Sequence, residues 1–376
     1  MEFDLVFEGG GAKGAVFVGA LREFETRGHR ARRFVGTSAG AITATLMAAG
    51  YKAADMDRAI NEKLPDGKPR FSTFMDIAED FAEADIRDSV TYAIFKQVDL
   101  PWIPDMAEGE IDERIFDQLM KVDAYREMFS FVERGGLYHG TKFLEWMREK
   151  LDADGRNLAG ATLEAFAQRT GSDLTLVASD TAGREMLVLN RRTAPRCPVA
   201  WAVRMSMSIP FVWQEVVWQR EWGTYRGADI SGHTVVDGGV LSNFPIDLLS
   251  SKDDHTRALM GDTDPDAVSN MGFLIDEALP VPGAPEPSAP AGTEQLKGGL
   301  LDNVKRLRTV QRIQRLVDTM TDAHDKAAIV AHQGEVCRLP AKGYGTTEFD
   351  MSDERLQALI QAGLDTMKAY LDGRNL

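Results

Sequence analysis

The chain has 376 residues, 44% of them hydrophobic and 27% charged, with a formal net charge of −15. That length suits one large α/β domain with insertions or two ordinary domains, and that balance supports a packed core and excludes bulk disorder. So acidic a chain is a poor partner for nucleic acid, which is bound by neutralising phosphates with Lys and Arg, and any contact with an anionic membrane has to be local.

Two cysteines, Cys197 and Cys337, allow one disulfide but no disulfide framework, which favours a reducing compartment. Met1 to Asp4 run straight into a strand-like segment, without the basic and apolar regions of a signal peptide. No apolar run approaches the roughly 18 residues of a spanning helix. The sequence therefore reads as cytoplasmic, with export as an effector lacking a cleaved signal left open.

In chain order, Phe3 to Phe7 read as a short buried strand, followed by a glycine-rich turn from Glu8 to Gly14. Phe17, Leu21 and Phe24 then fall at helical spacing, with Gly28 as the C-terminal cap. Arg33 to Val35 form a second strand, Gly36 to Gly40 a second sharp turn, and Ile42, Leu46 and Met47 a second helix that closes near Gly50. This strand-turn-helix pattern, repeated, asks for a parallel sheet with helices on its faces. Residues 55–135 read as a mostly helical insertion carrying Phe71, Phe74, Phe81, Phe95 and Trp102, with Pro101 and Pro104 as breakers. Thr141 suits the N-cap of a helix through Leu151. Leu174 to Ala178 read as a core strand paired with Met186 to Leu189, and Trp201 to Ile209 as a short helix before Pro210. Thr234 to Val236 lead into Asp237-Gly238-Gly239.

Five prolines between Leu279 and Gly292 mark a loop. Helices follow, one with a stripe from Val304 to Met320 and one over Asp353 to Leu371. The expected organisation is an α/β domain over 1–275 that includes the insertion, a Pro-rich loop or linker over 276–298, and C-terminal helices over 299–376 that pack on the first domain.

Gly36-Thr37-Ser38-Ala39-Gly40 has the Gly-x-Ser-x-Gly form of a nucleophile elbow, in which a tight strand-to-helix turn exposes a serine hydroxyl. The helix beginning after Ser38 adds a positive dipole end where negative charge would develop. The plain alternative is a serine that caps an ordinary turn. Gly9-Gly10-Gly11-Ala12-Lys13-Gly14 matches the spacing of a dinucleotide fingerprint, but the acidic residue that would bind a ribose is missing at the end of the second strand. The P-loop reading also fails, because Ala15 and Val16 follow Gly14. Backbone N–H groups at such a turn suit an oxyanion instead. Lys13 reads most simply as a solvated lysine on a first helical turn, with holding the loop or attracting an anionic head group as the alternatives. A serine needs a base, and none of the six histidines lies in an obvious motif; His233 reads as a loop residue. Asp237, at a strand end before two glycines, is either the carboxylate of a sheet-edge site or part of a plain turn.

In this order and spacing, these residues resemble the patatin-like phospholipase family, whose marks are a Gly-Gly-Gly-x-[Arg/Lys]-Gly loop, a Gly-x-Ser-x-Gly elbow and an Asp-Gly-[Gly/Ala] motif. The stretch Ala202 to Pro210 is also similar to the family's segment before its aspartate, and the likeness covers most of residues 3–250, returning weakly near Tyr344 to Asp350. The resemblance implies a three-layer α/β/α fold with a mainly parallel central sheet and a mostly helical insertion. It implies Ser38 as nucleophile, Asp237 as its base without a histidine, and Gly10, Gly11 and Ala12 as oxyanion donors, with no metal or cofactor. Glu8, where the family often has aspartate, reads as structural. A lone carboxylate works better as a base when desolvated, so Asp237 is expected to be buried, hydrogen-bonded to Ser38 and raised in pKa.

The implied function is lipid acyl hydrolysis of the phospholipase A, lysophospholipase or esterase type through an acyl-enzyme, with an acyltransferase as a close variant. The alternatives are an effector or toxin silent until a partner or signal activates it and, more remotely, a nucleotide-binding module. The expected partners are a phospholipid or other lipid ester and no nucleic acid, with room for peripheral membrane contact, through Lys305, Arg308, Arg312 and Arg315, and for a protein activator.

Overall fold

β1 (Glu2–Phe7) is buried at five of its six residues, the mark of a strand covered on both faces. Phe3, Leu5 and Phe7 point into one apolar cluster and Val6 into another, as the two-residue period of a strand requires. Helices α1 (Val16–Thr26) and α2 (Ala39–Ala48) and the C-terminal helix Asp353–Arg374 contribute to the first cluster. Helices Asp247–Ser250 and Asp254–Met260 contribute to the second. The result is three layers, α/β/α. The computed structural model describes residues 1–78, 81–96, 116–262, 268–285 and 326–376.

The strands are β1, β2 (Arg30–Thr37), β3 (Gly136–Tyr138), β4 (Asp173–Asp180), β5 (Glu185–Asn190), β6 (Phe211–Trp213), β7 (Val216–Val217), β8 (Thr234–Asp237), β9 (Ser269–Pro280) and β10 (Val336–Lys342). The central sheet runs β10-β9-β1-β2-β4-β8-β7, with β5 also on β4; β3 and β6 pair separately. Pairing is parallel from β10 through β4, whereas β5, β8 and β7 join antiparallel.

The pairing along β4 places the site. Residues 175–177 of β4 hold β2 on one edge and β5 on the other, and residues 178–180 hold β5 and β8. β8 therefore takes over the edge that β2 leaves. Thr37 lies opposite Val177 and Asp237 opposite Ala178, so the two strands run head-on and their C-terminal ends meet.

Several expectations need correction. Residues 299–376 are not helical throughout: β10 is a strand of the central sheet, and β9 crosses the expected boundary at 275. The reason is non-local, because β9 fills the edge of β1 and β10 the edge of β9. The Val304–Met320 stripe, the four basic residues beside it and most of the Pro-rich segment lie outside the described residues. Thr141 is not the cap of its helix. Gly140 holds that position, and the Asp76 carboxylate accepts from the N–H groups of Gly140, Thr141 and Lys142 at 2.8, 3.0 and 3.2 Å. Cys197 and Cys337 are both free and buried. Among the described residues no helix is long and apolar enough to cross a membrane. The C-terminal helix lies directly against α1, where a Cβ at Gly19 would overlap the carbonyl of Ile360.

Candidate active site

Ser38 ends the turn between β2 and α2 with φ 52° and ψ −119°, a backbone region that L-residues occupy only under strain. The glycines permit the tight approach: a Cβ at Gly40 would overlap the carbonyl of Phe7 at the end of β1. Ser38 is 4% exposed, and its side chain makes no capping bond to α2, which removes the reading as a simple helix cap. Its N–H donates to Ser206 Oγ at 3.0 Å, so the Ser38 amide is already occupied.

Asp237 is also 4% exposed. Its N–H donates to the Ser208 carbonyl at 2.9 Å, and its Oδ1 accepts from the Gly239 N–H at 2.7 Å. The turn role is thus real, but it uses one oxygen only. Oδ2 is buried without a hydrogen bond of normal geometry among the described residues. Burial pushes the carboxyl up to about 7, against smaller lowering effects of the Gly239 N–H and of the nearby Ser38 hydroxyl. The expected Ser38–Asp237 hydrogen bond is therefore an approach rather than a closed bond, as is common for reacting groups without substrate.

The glycine loop leads from β1 into a 3-10 turn over Gly11–Ala15. Asn243 ties it down: its carbonyl accepts from Gly9 N–H at 3.0 Å, and its Nδ2 donates to the Gly9 carbonyl at 3.0 Å and to Glu8 Oε1 at 3.2 Å. Glu8 also accepts from Ile275 N–H on β9, so its role is structural. Ala12 is not an oxyanion donor. Its N–H donates to the Thr346 carbonyl at 2.9 Å, because the C-terminal segment folds back over the loop beside Gly11, which has φ 56°. The N–H groups of Gly10 and Gly11 make no hydrogen bond among the described residues. Lys13 is not solvated: it is 4% exposed and ion-paired to Glu277 on β9, which pins the loop to the sheet. Gly14 packs against Ala39, so the loop and the elbow touch.

Ser38 lines two cavities. One is apolar and narrow, about 90 Å³, and runs beside Ile42 and Leu46 on α2 to Phe74, Phe143 and Trp146. The other, about 800 Å³ and more open, is polar and includes Asp237, Lys13, Glu277, Asp276 and Arg338. Among the described residues no histidine lines either. His233 instead pairs through Nδ1 with Asp180 at 2.7 Å. Of the insertion's aromatics, Phe71 and Phe74 line the apolar channel, whereas Phe81 packs in a separate cluster with Tyr92, Phe116 and Phe129. Trp102 and the Phe95 side chain lie outside the described residues.

Ser206 and Ser208 lie in the stretch Ala202 to Pro210, and Thr346 in Tyr344 to Asp350, both marked by the family resemblance, but their individual roles, like that of Asn243, show only through bonds to residues far away in the chain. Asn243 has a weak local signal, as a turn residue two positions before Pro245.

Among known proteins, the uncharacterised protein YqhO of Bacillus subtilis is 28% identical over 379 residues, covering 99% of this chain and 98% of YqhO. VipD of Legionella pneumophila is a structural neighbour at 16% identity and TM-score 0.47, covering 99% of this chain and 67% of VipD. A chain of the ExoU–SpcU complex of the Pseudomonas aeruginosa type III secretion system matches at 18% identity and TM-score 0.39, covering 99% and 51%. Kinship comes from the family model for patatin-like phospholipases, which matches residues 5–250 and so takes in the glycine loop, the elbow and Asp237: the chain belongs to the patatin-like phospholipase family.

Proposed function

We propose that this protein is a lipid acyl hydrolase that works through an acyl-enzyme on Ser38, with Asp237 as its only acid–base partner. The observation that carries the reading is the position of Ser38 where an apolar channel meets a polar cleft. The apolar lining of the first suits an acyl chain and the polar second the alcohol or head group of an ester, which puts the scissile carbonyl at the serine.

In the first half-reaction Asp237 Oδ2 takes the proton of the Ser38 hydroxyl as Oγ attacks the carbonyl carbon. The oxygen that becomes anionic is received by the N–H groups of Gly10 and Gly11, donors worth roughly 3–4 kcal/mol each when preorganised. The tetrahedral intermediate collapses, the ester C–O bond breaks, and the leaving alcohol takes the proton from Asp237. In the second half a water gives its proton to Asp237 and attacks the acyl carbon. The fatty acid leaves and Ser38 regains its proton. A carboxyl near neutrality suits both directions of transfer, since it can hold and release a proton at the same pH.

Two variants test the reading together. Ser38→Ala should abolish release of fatty acid from phospholipid vesicles and from p-nitrophenyl esters in a folded protein. Ile42→Trp, which narrows the apolar channel, should lower turnover of long-chain p-nitrophenyl esters at least tenfold, roughly the order of a steric mismatch in an apolar pocket, and spare the acetate. Retained turnover in Ser38→Ala would discard the nucleophile. Equal losses on long and short esters in Ile42→Trp would discard the acyl channel.

A further inference from the structure

The helix Val199–Ser206 and the turn after it touch both members of the proposed pair from one side. Ser206 is fully buried; its hydroxyl accepts the Ser38 N–H at 3.0 Å and donates to the Val177 carbonyl on β4 at 2.6 Å. Two residues on, the Ser208 carbonyl accepts the Asp237 N–H at 2.9 Å. Ser208 is held in turn: its own hydroxyl donates to the Arg204 carbonyl at 2.7 Å, and the Arg204 guanidinium donates to Ser208 Oγ. Arg204 is 2% exposed and is anchored on the His139 and Gln214 carbonyls at 2.8 and 3.1 Å.

We propose that residues Arg204–Ser208 act as a splint that sets the spacing between Ser38 and Asp237, with Ser206 as the positioning residue for the strained nucleophile. The inference rests on the acyl-hydrolase reading and adds a residue that touches neither substrate nor reacting atoms. The physical argument is one of constraint. A serine at positive φ persists only where its surroundings over-determine it. The Ser206 hydroxyl supplies such a constraint by fixing the amide of Ser38 to the carbonyl of the strand that also registers β8. It also removes that amide from the oxyanion site and leaves the work to Gly10 and Gly11.

The bland alternative is that Ser206 only satisfies buried backbone groups at a helix end. The two are separable. In Ser206→Ala the Ser38 amide loses its acceptor, the turn relaxes, and Oγ moves relative to Oδ2. Displacements of this kind cost on the order of 100-fold in rate. The expected result is a kcat lower by roughly 10- to 100-fold per folded molecule with KM little changed. The acid limb of the pH profile should also move upward, because the Ser38 hydroxyl that lowers the pKa of Asp237 has moved away. Amide hydrogen exchange gives a readout independent of turnover: the Ser38 N–H should lose protection while β1 and β2 keep theirs. If Ser206→Ala does not fold, Ser206→Cys keeps the size and a weak donor and acceptor and should show the same changes to a smaller degree.

Unchanged kcat per folded molecule, or an unchanged Ser38 amide, would overturn the splint. So would a loss of activity that merely tracks loss of folded protein. If the wild-type protein releases no acyl group from any ester, the acyl-hydrolase reading falls, and the exchange measurement still decides whether Ser206 fixes Ser38.

Discussion

Asp237→Asn should abolish ester turnover and at the same time make the protein more stable at alkaline pH. The carboxyl is raised from 3.8 to about 7 by burial. Between those values the native state holds a proton that the unfolded state has released, so stability falls as pH rises through this window. The ionised carboxylate then costs about 4 kcal/mol at about pH 8, taking 1.36 kcal/mol per pKa unit, and the cost shrinks to a small remainder near pH 4, vanishing only well below 3.8, where both states are protonated. Asparagine keeps an oxygen for the Gly239 N–H and carries no charge to bury. It cannot take the proton of Ser38, which should cost about 10²- to 10⁴-fold in kcat/KM. Thermal melts of both proteins at about pH 4 and pH 8 check the first part. A gain of about 2–4 kcal/mol at the higher pH that shrinks toward zero at the lower one is expected, and an equal difference at both would mean that the charge is not the cause. The wild-type kcat/KM should rise through an acid limb near pH 7 to a plateau above it, because only the ionised carboxylate is a base.

Ser38→Gly should be more stable than Ser38→Ala although both lose turnover by roughly 10⁶-fold, the scale seen when a nucleophile that works as part of a unit is removed. Both variants keep the backbone N–H that donates to Ser206. They differ in the strain of φ 52°, ψ −119°, which an L-residue carries at about 1–3 kcal/mol and glycine does not. Glycine gives back roughly 0.5–1 kcal/mol through the greater freedom of its unfolded chain. The expected net difference is about 1–2 kcal/mol in favour of Ser38→Gly, read as a shift in the denaturant midpoint. If the alanine variant is as stable as the glycine variant, the turn stores no strain, and the serine is held by geometry that costs nothing.

Much of the site was legible because each motif is local. The Gly9–Gly14 loop, the Gly36–Gly40 elbow and Asp237 are each a strand end followed by a turn, and glycine content and apolar runs mark such places within a few residues. What escaped is non-local. Nothing near Ala12 announces that Thr346 will occupy its N–H, nor does anything near Lys13 announce Glu277. Asp76 caps a helix that begins at Thr141. β9 was missed as a strand: Gly272 to Ile275 form only a short apolar run, and its charged and proline-bearing C-terminal half reads as the start of a linker. The antiparallel direction of β8 was hidden too, because one strand's residues carry no sign of which neighbour they will run against.

The handover along β4 bears on how the site comes into being. Ser38 and Asp237 are about 200 positions apart in the chain, and neither reaches the other until β2 and β8 have both docked on one strand. Pairings between such distant segments form late, because closing the intervening loops costs entropy before any contact repays it. The glycine loop is no more local than the pair, since Asn243, Glu277 and Thr346 hold it from far along the chain. Whatever chemistry the pair performs therefore depends on two long-range pairings with β4, and not on either local turn alone.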